Sequence, residues 1–389
     1  MRTRIRALAG SGAAALAALV VAGCGTTGSS STSSAVKVNG NTLTIYISEP
    51  HDLASAPAAQ DIVHAEELAF AAQHKQVTDY RLVLVRERGR TLSSNARTAI
   101  LDPTAIAYLG EVAPGASDQT VGITNALDLL QVSPTDNALE LTSVTPVISG
   151  SPKSYFEAAS TYGRTFASMV PSAALEASAQ VKEMKALGVH SLYVGNDGSD
   201  YGRALAHALS ADAHNGGLSP AATLSGADGI FYAAQSPTAA AKFFNHAASV
   251  APHAKLFGPS SLNVGAFTAA LSSAVKNLYV SMPGDLPSHL PAAGRAFVSK
   301  FRTRYGHTPN VEAIFGYETM SALLRVLEHA GKAANNRTTV VADFMTQKPT
   351  SSVLGGYRIN SGGNITLKTF TFARLRGGRL EPFTAVSAS

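Results

Sequence analysis

Tryptophan is absent from this 389-residue chain, cysteine occurs once, and charged side chains make up only 15% of it. A single cysteine cannot close an intramolecular disulfide, so the fold has to stand on its hydrophobic core. The formal charge of +5 is smaller than it looks. Arg2, Arg4 and Arg6 lie at the extreme start, and 31 basic residues less those three leave 28 against 26 acidic ones. Nucleic-acid binding would call for a basic stripe with interleaved aromatics. The two short clusters, Arg86–Arg90 and Arg374–Arg379, read instead as loop ends, so no nucleic-acid partner is expected. After residue 34 no apolar run reaches the ~20 residues that a membrane-spanning helix needs.

Catalytic signatures are missing as well. There is no G-x-S-x-G elbow, no G-x-x-x-x-G-K-[ST] loop and no G-x-G-x-x-G turn. Ser273 and Lys276 have S-x-x-K spacing but lack the S-D-N and K-T-G partners that would give it meaning. Asp61, His64 and Glu67 share a helix face, yet zinc needs three or four converging ligands and no H-E-x-x-H accompanies them. A solvated helix face is the plainer reading. Neither an enzyme activity, nor a metal, nor a cofactor is expected.

What is present begins with Arg2, Arg4 and Arg6, an apolar stretch from Ala7 to Ala22 broken by Gly10, Ser11 and Gly12, and then Val21-Ala22-Gly23-Cys24. A basic start, a short apolar segment and small residues before a cut site form an export signal. The Val-Ala-Gly-Cys ending resembles the lipobox of bacterial lipoproteins, which implies cleavage before Cys24 and acylation of its sulfur, palmitate included. The alternative is a chance cysteine in an ordinary signal peptide. Gly25–Ser34 contains only glycine, serine and threonine, a composition that stays a flexible coil. Residues 1–23 are thus expected to be signal and 24–40 anchor and tether. The chain would sit on the outer face of the cytoplasmic membrane, held by the Cys24 lipid alone.

The remainder alternates short β-branched runs with longer alanine-rich helical patterns. Leu43–Ile47, Arg81–Val85, Ile106–Leu109 and Leu129–Val132 read as strands, with helices across Ala58–His74, Ser93–Leu101 and Asp118–Ala126. The pattern stops near Pro146–Pro152 and restarts with a helix at Leu175–Leu187, strands at Ser191–Val194 and Gly229–Ala233, and a helix at Pro237–Val250. Two long helical patterns follow, Ala292–Tyr305 and Val311–Ala330, before strand-like runs at Gly356–Asn360, Ile365–Phe372 and Arg379–Phe383. Such alternation predicts an α/β fold with parallel sheets covered on both faces. Ligands of open parallel sheets sit at the carboxyl ends of the strands. The loops there, Glu111–Ser117, Ser133–Asn137, Gly195–Tyr201, Gln235–Ser236 and Gly258–Ser261, are rich in neutral hydrogen-bonding groups and suit a small polar solute.

Three stretches carry a family resemblance: Ala107–Thr142, Asn196–Gly202 and Phe297–Tyr317. In order and spacing they resemble the type I periplasmic solute-binding proteins, in particular the Leu/Ile/Val-binding group of ABC transporter substrate-binding lipoproteins. The resemblance implies two Rossmann-like lobes joined by a three-strand hinge, residues 41–156 with 283–350 and residues 157–282 with 351–389. It implies a small-molecule solute, an ABC permease as partner and a monomer. Ligand-binding positions carried over are the Gly115, Ala116 and Ser117 backbone at a helix N-terminus, Asp136 and Asn137 in the first lobe, and Tyr201, Gln235 (or its neighbour Ser236) and Ser260 in the second. The family's carboxylate-holding serine falls at Pro114 here, its small and hydroxylated pair at Asp136 and Asn137, and its ammonium-pairing acid at Ser260. A simple branched-chain amino acid is therefore a poor fit, and a neutral or cationic solute a better one. The chain also runs almost directly from Leu224 to Asp228, where the family has a helix. A sensor or envelope module on the same fold is the alternative function.

Overall fold

The computed structural model describes residues 36–49, 56–73, 75–156 and 163–388. The signal, Cys24 and the Gly/Ser/Thr tether lie outside the described residues. The first sheet contains β1 (Thr42–Ser48), β2 (Gln76–Val77), β3 (Tyr80–Glu87), β4 (Ala105–Leu109), β5 (Leu130–Ser133) and β6 (Phe166–Ser168), in the order β2-β3-β1-β4-β5-β6. All neighbours are parallel except the short β2–β3 pair. Alternation along β1 sorts its side chains to the two faces, as a pleated strand requires. Leu43, Ile45 and Ile47 join the core beneath α1 (Pro57–Ala71) and α9 (Ala313–Ala330), while Tyr46 faces α2 (Leu92–Leu101). Thr91 starts α2 with a capping box to Ser94, which satisfies donors the first turn would otherwise leave free.

The second sheet is built from β7 (Ser191–Asn196), β8 (Ser219–Pro220), β9 (Gly229–Ala233), β10 (Lys255–Gly258), β11 (Leu278–Pro283), β12 (Thr369–Arg376) and β13 (Arg379–Ser387). Its order is β13-β12-β11-β10-β9-β7-β8, parallel except at one edge, where β12 runs antiparallel to both β11 and β13. Phe231, Ala233 and Phe257 face α4 (Ala173–Ala186) and α5 (Asp200–Asn215); Ile230, Leu256 and Val280 face α6 (Pro237–Val250) and α7 (Gly265–Ala269). The remaining helices are α3 (Val121–Asn125), α8 (Ala292–Tyr305) and α10 (Arg337–Thr346). Among the described residues, no helix is long and apolar enough to cross a membrane.

Several expectations need correction. Phe166–Ser168, expected in the second lobe, pairs with β5 as the edge of the first sheet. Val353, Tyr357, Ile359 and Ile365, also expected there, pack into the first lobe's core. Hydrophobic contact, not chain position, decides the boundary, so the last crossing falls nearer residue 368 than 351. The strand expected at Gly356–Asn360 is reduced to an isolated bridge between Ile359 and Ile365. The helix expected across Asp118–Ala126 splits into a 3₁₀ turn and the five-residue α3. The shortened connection before β9 is real: only a 3₁₀ turn, Leu224–Gly226, precedes it.

Candidate functional site

The loops at the carboxyl ends of the two sheets meet in a buried polar seam. The eight residues singled out there come together. Gly115 adopts a left-handed conformation (φ +78°), and a Cβ built on it would lie 2.9 Å from both the Tyr201 Cβ and the Gln235 amide nitrogen. Only glycine fits where the second lobe approaches this closely. Across the same seam Asn137 donates to Glu176 Oε2 at 2.6 Å and to Ser260 Oγ at 3.3 Å. Ala116 is buried beside Gly115, its N–H turned back to the Ala113 carbonyl.

All three expected backbone donors thus have a partner within the chain. Gly115 and Ser117 donate their N–H groups to Asp136, at 2.6 and 2.9 Å, and Ala138 donates a third at 3.0 Å. Burial pushes the Asp136 carboxyl upward and these three N–H groups pull it back. Tyr201 is only 1% exposed, and it packs with Leu205 and Phe231 in the second lobe's core. Its hydroxyl, close to Ser260 and Ser261 and in the field of Glu176 and Glu140, has no hydrogen-bond partner. Gln235 is held through its backbone N–H, which donates to Asp197.

The seam also contains acids that sequence reasoning missed. Glu176 of α4 is fully buried and accepts from the Ser281 hydroxyl (2.5 Å), the Ser260 N–H (2.6 Å) and Asn137. Gln180, one turn on, bonds the Gly258 carbonyl and Ser281. The available signal was a polar pair at i, i+4 on the stripe that also carries Ala173, Ala177 and Met184. Glu140 and Glu312 are both pushed up to about 8, in each case chiefly by burial. Nearby acids, Asp136, Asp200 and Asp118, add to the shift at Glu140. Glu111, hydrogen-bonded by Tyr108 and Ser48, rises to about 7 for the same main reason. The result is a closed polar seam of carboxylates, hydroxyls and amides.

On α1, Asp61, His64 and Glu67 each have separate partners. Asp61 accepts from the Asn310 N–H and bonds His307, Glu67 pairs with Arg86, and His64 stacks on Tyr305. Among the described residues no group of three or more histidines and acids could hold a metal ion. Arg86 and Arg88 both bond Glu49, which accounts for the basic cluster at the end of β3.

Comparison with known proteins identifies the fold. The periplasmic binding protein family model matches residues 219–379. No curated protein sequence matches the chain. Among solved structures, the leucine-binding protein LivK of Thermotoga maritima superposes with a TM-score of 0.71 at 16% identity, covering 89% of this chain and 98% of its own. An ABC transporter substrate-binding protein of Desulfitobacterium hafniense, in complex with Leu, gives 0.70 at 18% identity over 88% and 100%. A solute-binding protein of an R. palustris ABC transporter, in complex with benzoate, gives 0.66 at 16% over 90% and 97%. With two α/β lobes whose strand-end loops converge, this chain has the fold of a type I periplasmic binding protein.

Proposed function

We propose that the chain is a lipid-anchored, extracytoplasmic solute-binding protein that captures a small polar molecule between its lobes and delivers it, as a monomer, to an ABC permease. One observation carries the reading: loops from the carboxyl ends of both sheets supply polar groups to a single buried seam, with Asn137 of the first lobe bonded to Glu176 and Ser260 of the second. A solute lodged there would contact both lobes and favour the closed form through its greater affinity for it. The structural neighbours include binders of leucine and of benzoate, which supports a solute of that size. Thermal-shift screening of the purified protein against amino acids, amides, amines and aromatic acids, with mass spectrometry of whatever co-purifies, tests it. A folded protein that no solute stabilises and that carries none would sink the proposal. Attachment is tested separately: Cys24→Ala should release the protein from the membrane fraction or leave it unprocessed.

A ligand sensor or envelope module on the same fold is the second reading. It is favoured by the direct side-chain ties between the lobes. Solute addition that leaves the solution scattering profile unchanged, together with failure to bind a permease, would favour it over transport.

A further inference from the structure

Asp136 is wholly buried, and the N–H groups of Gly115, Ser117 and Ala138 converge on its two oxygens. Successive backbone donors of this kind form a concavity that suits an anion. Here the anion belongs to the chain itself. The groups left over in the seam are mainly acceptors. Asn137 Oδ1 and Glu140 Oε2 are buried without a partner, in residues 0% and 1% exposed. The partnerless Tyr201 hydroxyl lies in the field of Glu140 and Glu176. Glu140 is further surrounded by Asp136, Asp118 and Asp200. Of these, among the described residues, only Asp200 is ion-paired, with Arg203.

We propose that Asp136 is a built-in anion that excludes carboxylate-bearing solutes from the cleft, and that the solute is an organic cation lacking a carboxylate, its ammonium held by Glu140 beside Tyr201. This rests on the solute-binding reading above. A second carboxylate near Asp136 would meet a like charge in a low-dielectric seam and find the backbone donors already taken. An ammonium supplies the donors that Glu140 and Asn137 lack, and a buried charge is tolerated when paired and hydrogen-bonded.

Calorimetry with probes sharing one carbon skeleton tests the exclusion: leucine, 4-methylpentanoate and leucinamide, with 1,4-diaminobutane as a second amine. The wild-type protein should bind an amine at least about tenfold more tightly than leucine and should not measurably bind 4-methylpentanoate. Asp136→Ser, confirmed as folded by circular dichroism, should gain about tenfold or more for leucine. Glu140→Gln should lose about tenfold for the amine. If Asp136→Ser does not fold, Asp136→Asn, which keeps one acceptor oxygen, should gain leucine affinity by a smaller factor. Tight leucine binding by the wild type, or no gain in a folded Asp136 variant, overturns the exclusion while leaving solute binding intact. A wild type that binds neither amine overturns the cation assignment. If the screen above has also found no solute, the solute-binding reading falls with it.

Discussion

Two fully buried glutamates, in two different regions, show what a neighbourhood does to the same side chain. Glu176, in the seam between the lobes, accepts hydrogen bonds from Ser281, Ser260 and Asn137. Glu66, on the buried face of α1 in the first lobe, has no partner for either oxygen. Both carboxyls are pushed upward by burial, but only at Glu176 do hydrogen bonds oppose the shift. Burial without hydrogen bonds disfavours the charged form, so the Glu66 carboxyl is pushed well above the usual carboxylate range. The α1–α9 contact is otherwise tight and apolar: a Cβ on Gly316 would lie 2.4 Å from the Ile62 carbonyl oxygen. One region is therefore organised by polar complementarity and the other by close packing, with the Glu66 carboxyl stranded in it.

The largest expected effect is on pH. Glu140 and Glu312 rise from 4.5 to about 8 and Glu111 to about 7 in the folded protein, so it binds more protons than the unfolded chain between these values. Their contribution to stability is complete below about pH 4.5 and is lost as pH rises toward 8. Urea unfolding should show a lower midpoint at pH 8.5 than at pH 5, and Glu140→Gln with Glu312→Gln should flatten the difference. A midpoint that rises across this window would contradict the assignment.

Glu176→Ala should cost about 3–5 kcal/mol, because each orphaned buried donor costs about 1–3 kcal/mol. Equal stability of variant and parent in denaturant unfolding would erase the contrast between the two regions. Gly316→Ala should cost about 1–3 kcal/mol, the usual penalty for overpacking, since α1 and α9 must separate. Glu66→Leu runs the other way. Removing an unpartnered buried polar group should stabilise by about 1–2 kcal/mol, and a lowered melting temperature would show that Glu66 has a partner after all. Smallest of all, Arg88→Ala should change stability by less than about 1 kcal/mol, because an ion pair with a solvated partner contributes little; Arg88 is 59% exposed, and the buried Glu49 keeps its pairing with Arg86.

Much of this architecture is legible without coordinates. The strands at Leu43–Ile47 and Gly229–Ala233 and the helices at Pro237–Val250 and Ala292–Tyr305 are recovered within a residue or two at each end. Their signals are local: period-two or period-3.6 burial, Ser236 before Pro237, Gly306 after Tyr305. What escaped is structure made by distant contact. The three residues of β6 have no pattern of their own and are strand only because β5 lies alongside. The ten-residue α10 escaped as well, though it opens with Asn336 capping the N–H of Thr339.

By itself the sequence determined the order of elements, the places where loops would gather and the residue types in them, because backbone propensity and burial period act over a few neighbours. Only the tertiary structure decided which of those groups remain to meet a solute. Asp136 finds Gly115 and Ser117 across a parallel sheet, 21 and 19 residues away, and Asn137 finds Ser260 across the two lobes, 123 residues away. A carboxylate takes whichever donors the fold brings within 3 Å of it, and that choice is made by packing, which no local pattern records.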